Sequence, residues 1–331
     1  MPDIITTGEM LIDFTPVPAA GYKGAVYPNP GGAPGNVAVQ LSRLGVSTGF
    51  IGKVGNDNFG HELRHCLSQN GVDTKNLIED PYYRTTLAFV HLDESGDRSF
   101  TFYRNPGADT QLRVEEVDMS DIDGCRLLHF GSLSLTTEPG RSTTLELVKR
   151  ARNMGKLISY DPNWRPNLWN SVEEGVAGME QGLKLCHILK ISGEEMALLT
   201  ETDSIIEGAK RLHKLGVKLI VVTLGPEGCV CSLSGRMSHH PTYDMKVIDT
   251  TGSGDSFFGA FLSQLIQNGY NSQEAMERVT LEELAEFCQF SNAAGSLCAT
   301  RQGGIPALPK REEILRCMEE GNLLETEFRL R

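Results

Sequence analysis

Apolar positions set the first expectations. Phe258, Phe261, Leu262 and Leu265 keep helical spacing and Asn268-Gly269 offers a stop, which predicts a helix beginning near Gly254. Val37, Leu41 and Leu44 repeat that spacing before Gly45, so the run Pro30-Gly31-Gly32-Ala33-Pro34-Gly35-Asn36 reads as a glycine-rich loop feeding a second amphipathic helix. Residues 3–14 read as one strand with Asp13 near its end. A strand and turn at 51–60 lead into a helix carrying Phe59, Leu63, Cys66 and Leu67 on one face and closed by Asn70-Gly71. From residue 125, strands at 125–131, 156–161, 186–192 and 217–225 alternate with helices at 138–154, 171–184, 194–200 and 204–215. Such alternation predicts a mostly parallel sheet with helices on both faces, whose ligands gather at the carboxyl ends of the strands. One pattern interrupts it: the alternating runs 86–93 and 98–104, joined by Glu94-Ser95-Gly96-Asp97, predict a hairpin with one polar face. A lid over a site would give such a hairpin its reason.

Composition narrows the class. The chain has 331 residues, 40% hydrophobic and 22% charged, enough for one large α/β domain or two smaller ones. No apolar run approaches the roughly 20 residues needed to span a bilayer and the start Met1-Pro2-Asp3-Ile4 lacks a basic leader, so the expectation is a cytoplasmic protein. A net charge of −12 argues against a nucleic-acid or anionic-membrane surface, though not against a locally positive nucleotide site. Eight cysteines are scattered without a Cys-x-x-Cys, and reduced core thiols are the expected reading. His239-His240 has no carboxylate or cysteine at ligand spacing.

The chemistry concentrates before the helix near Gly254. A loop entering a helix N-terminus presents unpaired N–H groups and the positive end of the helix dipole, and Gly252 and Gly254 allow a ligand close approach. An acid there, Asp255, would repel a bound phosphate, yet it makes sense facing a hydroxyl that must lose a proton. The alternative is an ordinary first-turn acid favoured by the dipole. In Asp161-Pro162-Asn163-Trp164-Arg165-Pro166, Arg165 could fork onto a substrate or pair structurally with Asp161.

Asp249-Thr250-Thr251-Gly252-Ser253-Gly254-Asp255 resembles the second signature of the ribokinase-like (PfkB) carbohydrate kinases, Asp-Thr-x-Gly-Ala-Gly-Asp, with Ser253 in place of Ala. Gly31-Gly32-Ala33-Pro34-Gly35-Asn36-Val37-Ala38 is similar to the first signature of that family, a Gly-Gly followed by Asn-x-Ala. The two occur in the family's order, and the resemblance covers nearly the whole chain. It implies a single ribokinase-like kinase domain over 1–331, a mostly parallel central sheet with helices on both faces, and a small β-sheet lid built from about 10–30 and 85–105. It implies Asp255 as general base, with Gly252, Ser253 and Gly254 forming the anion hole. Asp13, Gly31, Gly32 and Asn36 would hold the sugar, with Arg104 and Arg165 reaching it. Thr223, Gly225 and Gly228 resemble the nucleotide segment, and Asn292, in the small-residue run 291–296, is a weaker adenosine candidate. Glu195 matches the acid that helps hold Mg²⁺ through water, although Ser192 replaces the usual Asn; simple dipole stabilisation is its alternative. Asp249 and Thr251, with Gly303 of the turn 300–306, correspond to loops that can enclose a monovalent cation such as K⁺.

The implied partners are ATP and a small sugar, and a homodimer through the lid is the default. The pattern is most like fructokinases, which makes D-fructose the first expectation. The alternatives are 2-keto-3-deoxygluconate, with Arg104 and Arg165 on its carboxylate, or a catalytically silent sugar-binding regulator. Phe102, where the keto-acid kinases tend to carry Tyr, favours a neutral sugar. A dinucleotide-dependent dehydrogenase is disfavoured, because no Gly-x-Gly-x-x-Gly follows the first strand.

Overall fold

The computed structural model describes residues 1–16, 24–92 and 98–330. The hairpin turn 93–97 and residues 17–23 of the proposed lid lie outside them. Among the described residues, thirteen strands fall into two sheets: β1 (Ile4–Thr7), β2 (Leu11–Pro16), β3 (Val26–Gly31), β4 (Thr48–Gly55), β5 (Leu77–Asp80), β6 (Leu87–Leu92), β7 (Arg98–Tyr103), β8 (Leu127–Gly131), β9 (Leu157–Asp161), β10 (Ile188–Ser192), β11 (Leu219–Thr223), β12 (Cys229–Leu233) and β13 (Arg236–His240). The large sheet runs β13-β12-β11-β10-β9-β8-β1-β4-β5 and the small one β3-β2-β6-β7. From β5 to β11 every pairing in the large sheet is parallel, and β12 and β13 join as antiparallel neighbours.

Side-chain alternation explains why the central strands read as continuous apolar runs. Ile4, Leu127, Leu157, Ile188 and Leu219 face one core cluster, while Ile5, Leu128, Ile158, Leu189 and Ile220 face the other. A sheet covered on both faces has no polar side to alternate with. The predicted strands and helices after residue 125 are present within a few residues of their expected ends; the four helices are Gly140–Asn153, Val172–Leu183, Gly193–Thr200 and Ile205–Lys214.

Two expectations need correction. The run 3–14 is two strands in different sheets, because the chain crosses from the large sheet to the small one at Gly8, where an added Cβ would lie 2.7 Å from Pro34 Cγ. The helix after the glycine run also starts earlier, spanning Ala33–Arg43, so Gly35 and Asn36 belong to its first turn rather than to a loop. Pro34 accounts for this, since its fixed φ suits a first helical position where no N–H is needed.

That helix packs against Ser253–Gln267, which buries Phe258, Phe261, Leu262 and Leu265 completely, each worth about 1.5–3 kcal/mol. Gly259 lets the pair close, since a Cβ there would sit 2.8 Å from Gln40 Cβ, and Ser256 Oγ donates to Gln40 Oε1 at 3.0 Å. The packing brings the starts of both signature helices together at the carboxyl edge of the sheet. All eight cysteines are free thiols, and seven of them are buried.

Candidate active site

Gly252 caps the helix Ser253–Gln267 at φ +78°, a left-handed conformation open to glycine. Ser253 N–H is spent on Thr250 O at 3.2 Å inside the loop. The N–H groups of Gly254 and Asp255 sit in the first turn, where a helix has no internal carbonyl for them, and both residues line a cleft of about 840 Å³. Gly254 and Asp255 are therefore the residues of this loop whose N–H groups are open to an anion.

Asp255 is buried, and burial raises its pKa, opposed by the Asn36 hydrogen bond and the charges of Lys190 and Arg165. Asn36 Nδ2 donates to Asp255 Oδ2 at 2.7 Å, fixing one carboxylate oxygen. Asn36 Oδ1 is buried with no protein partner, a free acceptor in the same cleft. Asp13, Gly32 and Arg165 line the cleft too. Asp13 is pushed up to about 7 by burial and by Asp255 and Asp249, against the pull of Arg165. Gly31 pairs with Leu11 across the small sheet, and any Cβ at Gly31 would collide with Asp13 Oδ2. Its part is to leave room for that carboxylate.

Arg165 does not pair with Asp161. Its Nη1 donates to Trp164 O at 2.9 Å and its guanidinium lies 5.5 Å from the centre of the Phe100 ring, contributed by the small sheet. Asp161 instead pairs with Lys190, Nζ to Oδ2 3.0 Å. Burial alone would depress Lys190, but Asp161 and Glu195 outweigh it and the ammonium ends above its usual range. Glu195 lines the cleft with both oxygens engaged: Oε2 accepts from Ser192 N at 2.8 Å and Oε1 from Trp164 N at 2.7 Å. It is thus the N3 partner of a Ser192 capping box as well as a cleft acid.

Arg104 stands apart from the residues that line the cleft. Its guanidinium donates to Asp109 Oδ2, Thr136 Oγ1 and Leu133 O, at 2.7, 2.8 and 3.0 Å, and it does not line the cleft. It ties the end of β7 to Asp109 and to the segment after β8.

Among the charged residues of the cleft, sequence reasoning missed Lys190 and Glu9. Lys190 interrupts the apolar run Ile188-Leu189-Lys190-Ile191, and a charge inside a fully buried strand was the available signal. Glu9 is almost fully buried and lines the cleft; burial pushes it up to about 7, Oε1 accepts from Ala33 N at 3.0 Å, and Oε2 has no protein partner. It sits in the crossing between β1 and β2, which the single-strand reading concealed.

A second cavity of about 480 Å³ is lined by Thr223, Gly225, Gly228 and Asn292, the four nucleotide candidates, and by Gly295 and Ser296. Gly228 at φ +84° tolerates no side chain, since a Cβ would collide with His240 O. Asn292 Nδ2 is committed to His240 O and Pro241 O at 3.1 and 3.0 Å, which holds this wall in place. Thr250 and Gly254 line both cavities, so the two spaces meet at the loop before Asp255. Beside that junction Asp249 Oδ1 accepts from Thr251 N at 2.8 Å and Oδ2 from Gly303 N at 3.0 Å, tying the loop to the turn at 303.

Residues 1–311 match the family model described as pfkB family carbohydrate kinase. Fructokinase-1 of Oryza sativa subsp. japonica is 40% identical over 321 residues, covering 96% of this chain and 97% of the relative. Among solved structures, fructokinase with bound ATP from Xylella fastidiosa superposes with a TM-score of 0.89 at 32% identity, over 97% of this chain and 99% of that one. A fructokinase double mutant from Vibrio cholerae O395, bound to fructose, ADP and potassium ion, gives 0.85 at 33% identity, over 95% and 97%.

Proposed function

The chain belongs to the pfkB family of carbohydrate kinases, and from that premise we propose that it transfers the γ-phosphoryl group of ATP to a primary hydroxyl of D-fructose. One observation carries the mechanism: a buried carboxylate at a helix N-terminus lies where a polar cleft and a second cavity share the residues Thr250 and Gly254. A hydroxyl in the cleft and a phosphoryl group from the second cavity would meet there.

Asp255 accepts the hydroxyl proton as the oxygen attacks, an effect typically worth about 10²- to 10⁴-fold. Burial lifts its pKa toward that of a useful base, and Asn36 holds the second oxygen so that the first faces the sugar. The N–H groups of Gly254 and Asp255 stabilise charge on the phosphoryl group in transit. Asp13, Gly32 and Asn36 hold the remaining sugar hydroxyls, and Arg165 approaches from the side covered by Phe100. Glu195 at the cleft would help hold Mg²⁺ through water, with phosphate oxygens as direct ligands; bound there, the ion would neutralise phosphate charge. Asp249, Thr251 and Gly303, already drawn together, are our proposed surroundings for K⁺.

Fructose is favoured over 2-keto-3-deoxygluconate because Arg104, the second carboxylate ligand that the keto acid would need, is clamped by Asp109. A silent regulator is disfavoured by a complete base, anion hole and nucleotide wall. No helix among the described residues is long and apolar enough to cross a membrane, and we propose a cytoplasmic enzyme. Val26, Tyr27 and Tyr103 stand exposed on the small sheet, which supports it as the face of a homodimer.

The test is ADP release from ATP and Mg²⁺ across fructose, ribose, glucose, adenosine and 2-keto-3-deoxygluconate. Turnover with fructose foremost is expected. Preference for the keto acid would overturn the substrate, and silence with every sugar would overturn the reaction.

A further inference from the structure

The segment after the helix Arg311–Glu320 reaches the second cavity at Leu324. Gly321 makes the turn: its N–H donates to Cys317 O at 2.9 Å, and a Cβ there would crowd Cys317 O and come within 3.0 Å of Tyr243 Cδ1. Residues 322–324 then pair with 242–244 on the cavity wall. Asp244 N–H donates to Asn322 O at 2.9 Å, Leu324 N–H donates to Thr242 O at 2.8 Å, and Tyr243 and Leu323 form an antiparallel bridge.

Beyond that bridge exposure alternates. Leu324, Thr326, Phe328 and Leu330 are half-buried, while Glu325, Glu327 and Arg329 face solvent. Period-two alternation is what an extended segment with one apolar face produces. The Phe328 ring lies 4.6 Å from the His239 ring, and Phe328 and Leu330 pack on the core cluster together with Leu224 and Met237. His239 Nε2 is 2.6 Å from Glu227 O, which couples this anchor to the turn Gly225–Glu227. Thr242, Tyr243, Asp244 and Leu324 all line the cavity along with Gly295 and Ser296, and Thr242 Oγ1 lies 2.7 Å from Ser296 Oγ.

We propose that residues 322–330 are a strap that completes the nucleotide cavity, with Leu324 as its apolar contact to the purine base and Phe328 as the anchor that positions it. This rests on reading the cavity as the ATP site. A flat base gains from apolar surface laid against its faces, and Leu324 adds the strap's share to a lining that also includes Pro226, Met245, Val247 and Phe257. The backbone pairing of Leu324 with Thr242 fixes where that surface lies. Nucleotide affinity is then set partly by a segment that touches no phosphate and no sugar.

The experiment compares Leu324→Ala, Phe328→Ala and the outward-facing control Glu325→Ala with the wild type. It measures KM for ATP and for the sugar separately, the dissociation constant of ADP by calorimetry, and Tm. Leu324→Ala should raise both KM for ATP and the ADP dissociation constant by about tenfold, the range for losing apolar pocket contact, with kcat and sugar KM unchanged. Phe328→Ala should move the same two constants by less, and Glu325→Ala neither. Unchanged ATP and ADP constants in both inward variants, beside an active wild type, would overturn the strap. So would a parallel rise in both KM values with a lower Tm, which would mark a merely stabilising element. A wild type that neither binds ADP nor turns over ATP would instead sink the nucleotide reading on which the strap rests.

Discussion

Asn36 and Asp255 lie 219 residues apart in the chain, and the amide Nδ2 of the first donates to the carboxylate Oδ2 of the second across 2.7 Å. Each sits in the first turn of its helix, so the bond records how closely the two signature helices pack. It also tunes the proposed base, because a hydrogen bond to the ionised form opposes the upward push of burial.

Removing that donor gives the first prediction. In Asn36→Ala the Asp255 pKa should rise further, since the opposing bond is gone. A base works only when deprotonated, so the acid limb of the kcat profile should move to higher pH. A hydrogen bond to a charged group is worth about 1.5–3 kcal/mol, enough to shift the limb by a unit or so. An unmoved limb would show that Asn36 serves only the sugar.

Asp255→Asn tests the base itself. The amide is nearly isosteric and still fits beside Asn36, so Tm and sugar binding should hold while turnover falls at least about 10²-fold. Near-normal turnover would remove Asp255 from the mechanism.

Asp13 predicts a cost of function to stability. Its carboxyl is pushed from 3.8 up to about 7, so folding favours the protonated form. The folded state is therefore penalised above the unfolded value of 3.8, and the penalty grows until the pH passes about 7. Asp13→Asn should raise Tm at pH 8 by a few degrees, with the gain vanishing below pH 4, and should weaken sugar binding. Equal gains at both pH values would rule out ionisation as the cause.

The fold was legible where the chain obeys a single period. Alternating strands and helices after residue 125 could be placed because each central strand is buried on both faces and each helix on one. It was not legible at Gly8, where one apolar run serves two sheets and only the crossing shows the break. The site divided in the same way. Asn36 and Asp255 sit at helix starts, where residue type constrains chemistry, and the structure gathers them in one cleft with Asp13 of β2. Arg104 matched by position alone and is claimed by Asp109, a partner five residues on that no pattern announced. Lys190 was hidden by the apolar strand that carries it.

The paired loops at 249 and 303 make cation dependence measurable. If K⁺ lies between them, exchange of K⁺ for Na⁺ should lower kcat more than it changes sugar KM, because the loop leads directly into the anion hole. Asp249→Asn should blunt the difference between the two salts. Equal rates in K⁺ and Na⁺ would exclude this role for the loops.

The last prediction concerns the anion hole and the buried ion pair beside it. A Cβ at Gly254 would stand 3.1 Å from Lys190 Nζ, so the glycine leaves the ammonium its place against Asp161. Gly254→Ala must press on that ammonium or tilt the first turn of the helix, and either movement misaims the N–H groups. The helix should still form, because alanine is the better helix former. We therefore expect Tm close to wild type, sugar KM unchanged and kcat reduced by about 10- to 100-fold, within the range for loss of one oxyanion donor. Lys190→Met should differ: it leaves Asp161 buried and unpaired, a change that costs about 3–5 kcal/mol, so both kcat and Tm should fall. If Gly254→Ala retained full kcat, the space beside Lys190 would have no catalytic meaning, and the anion hole would have to be sought elsewhere in the loop.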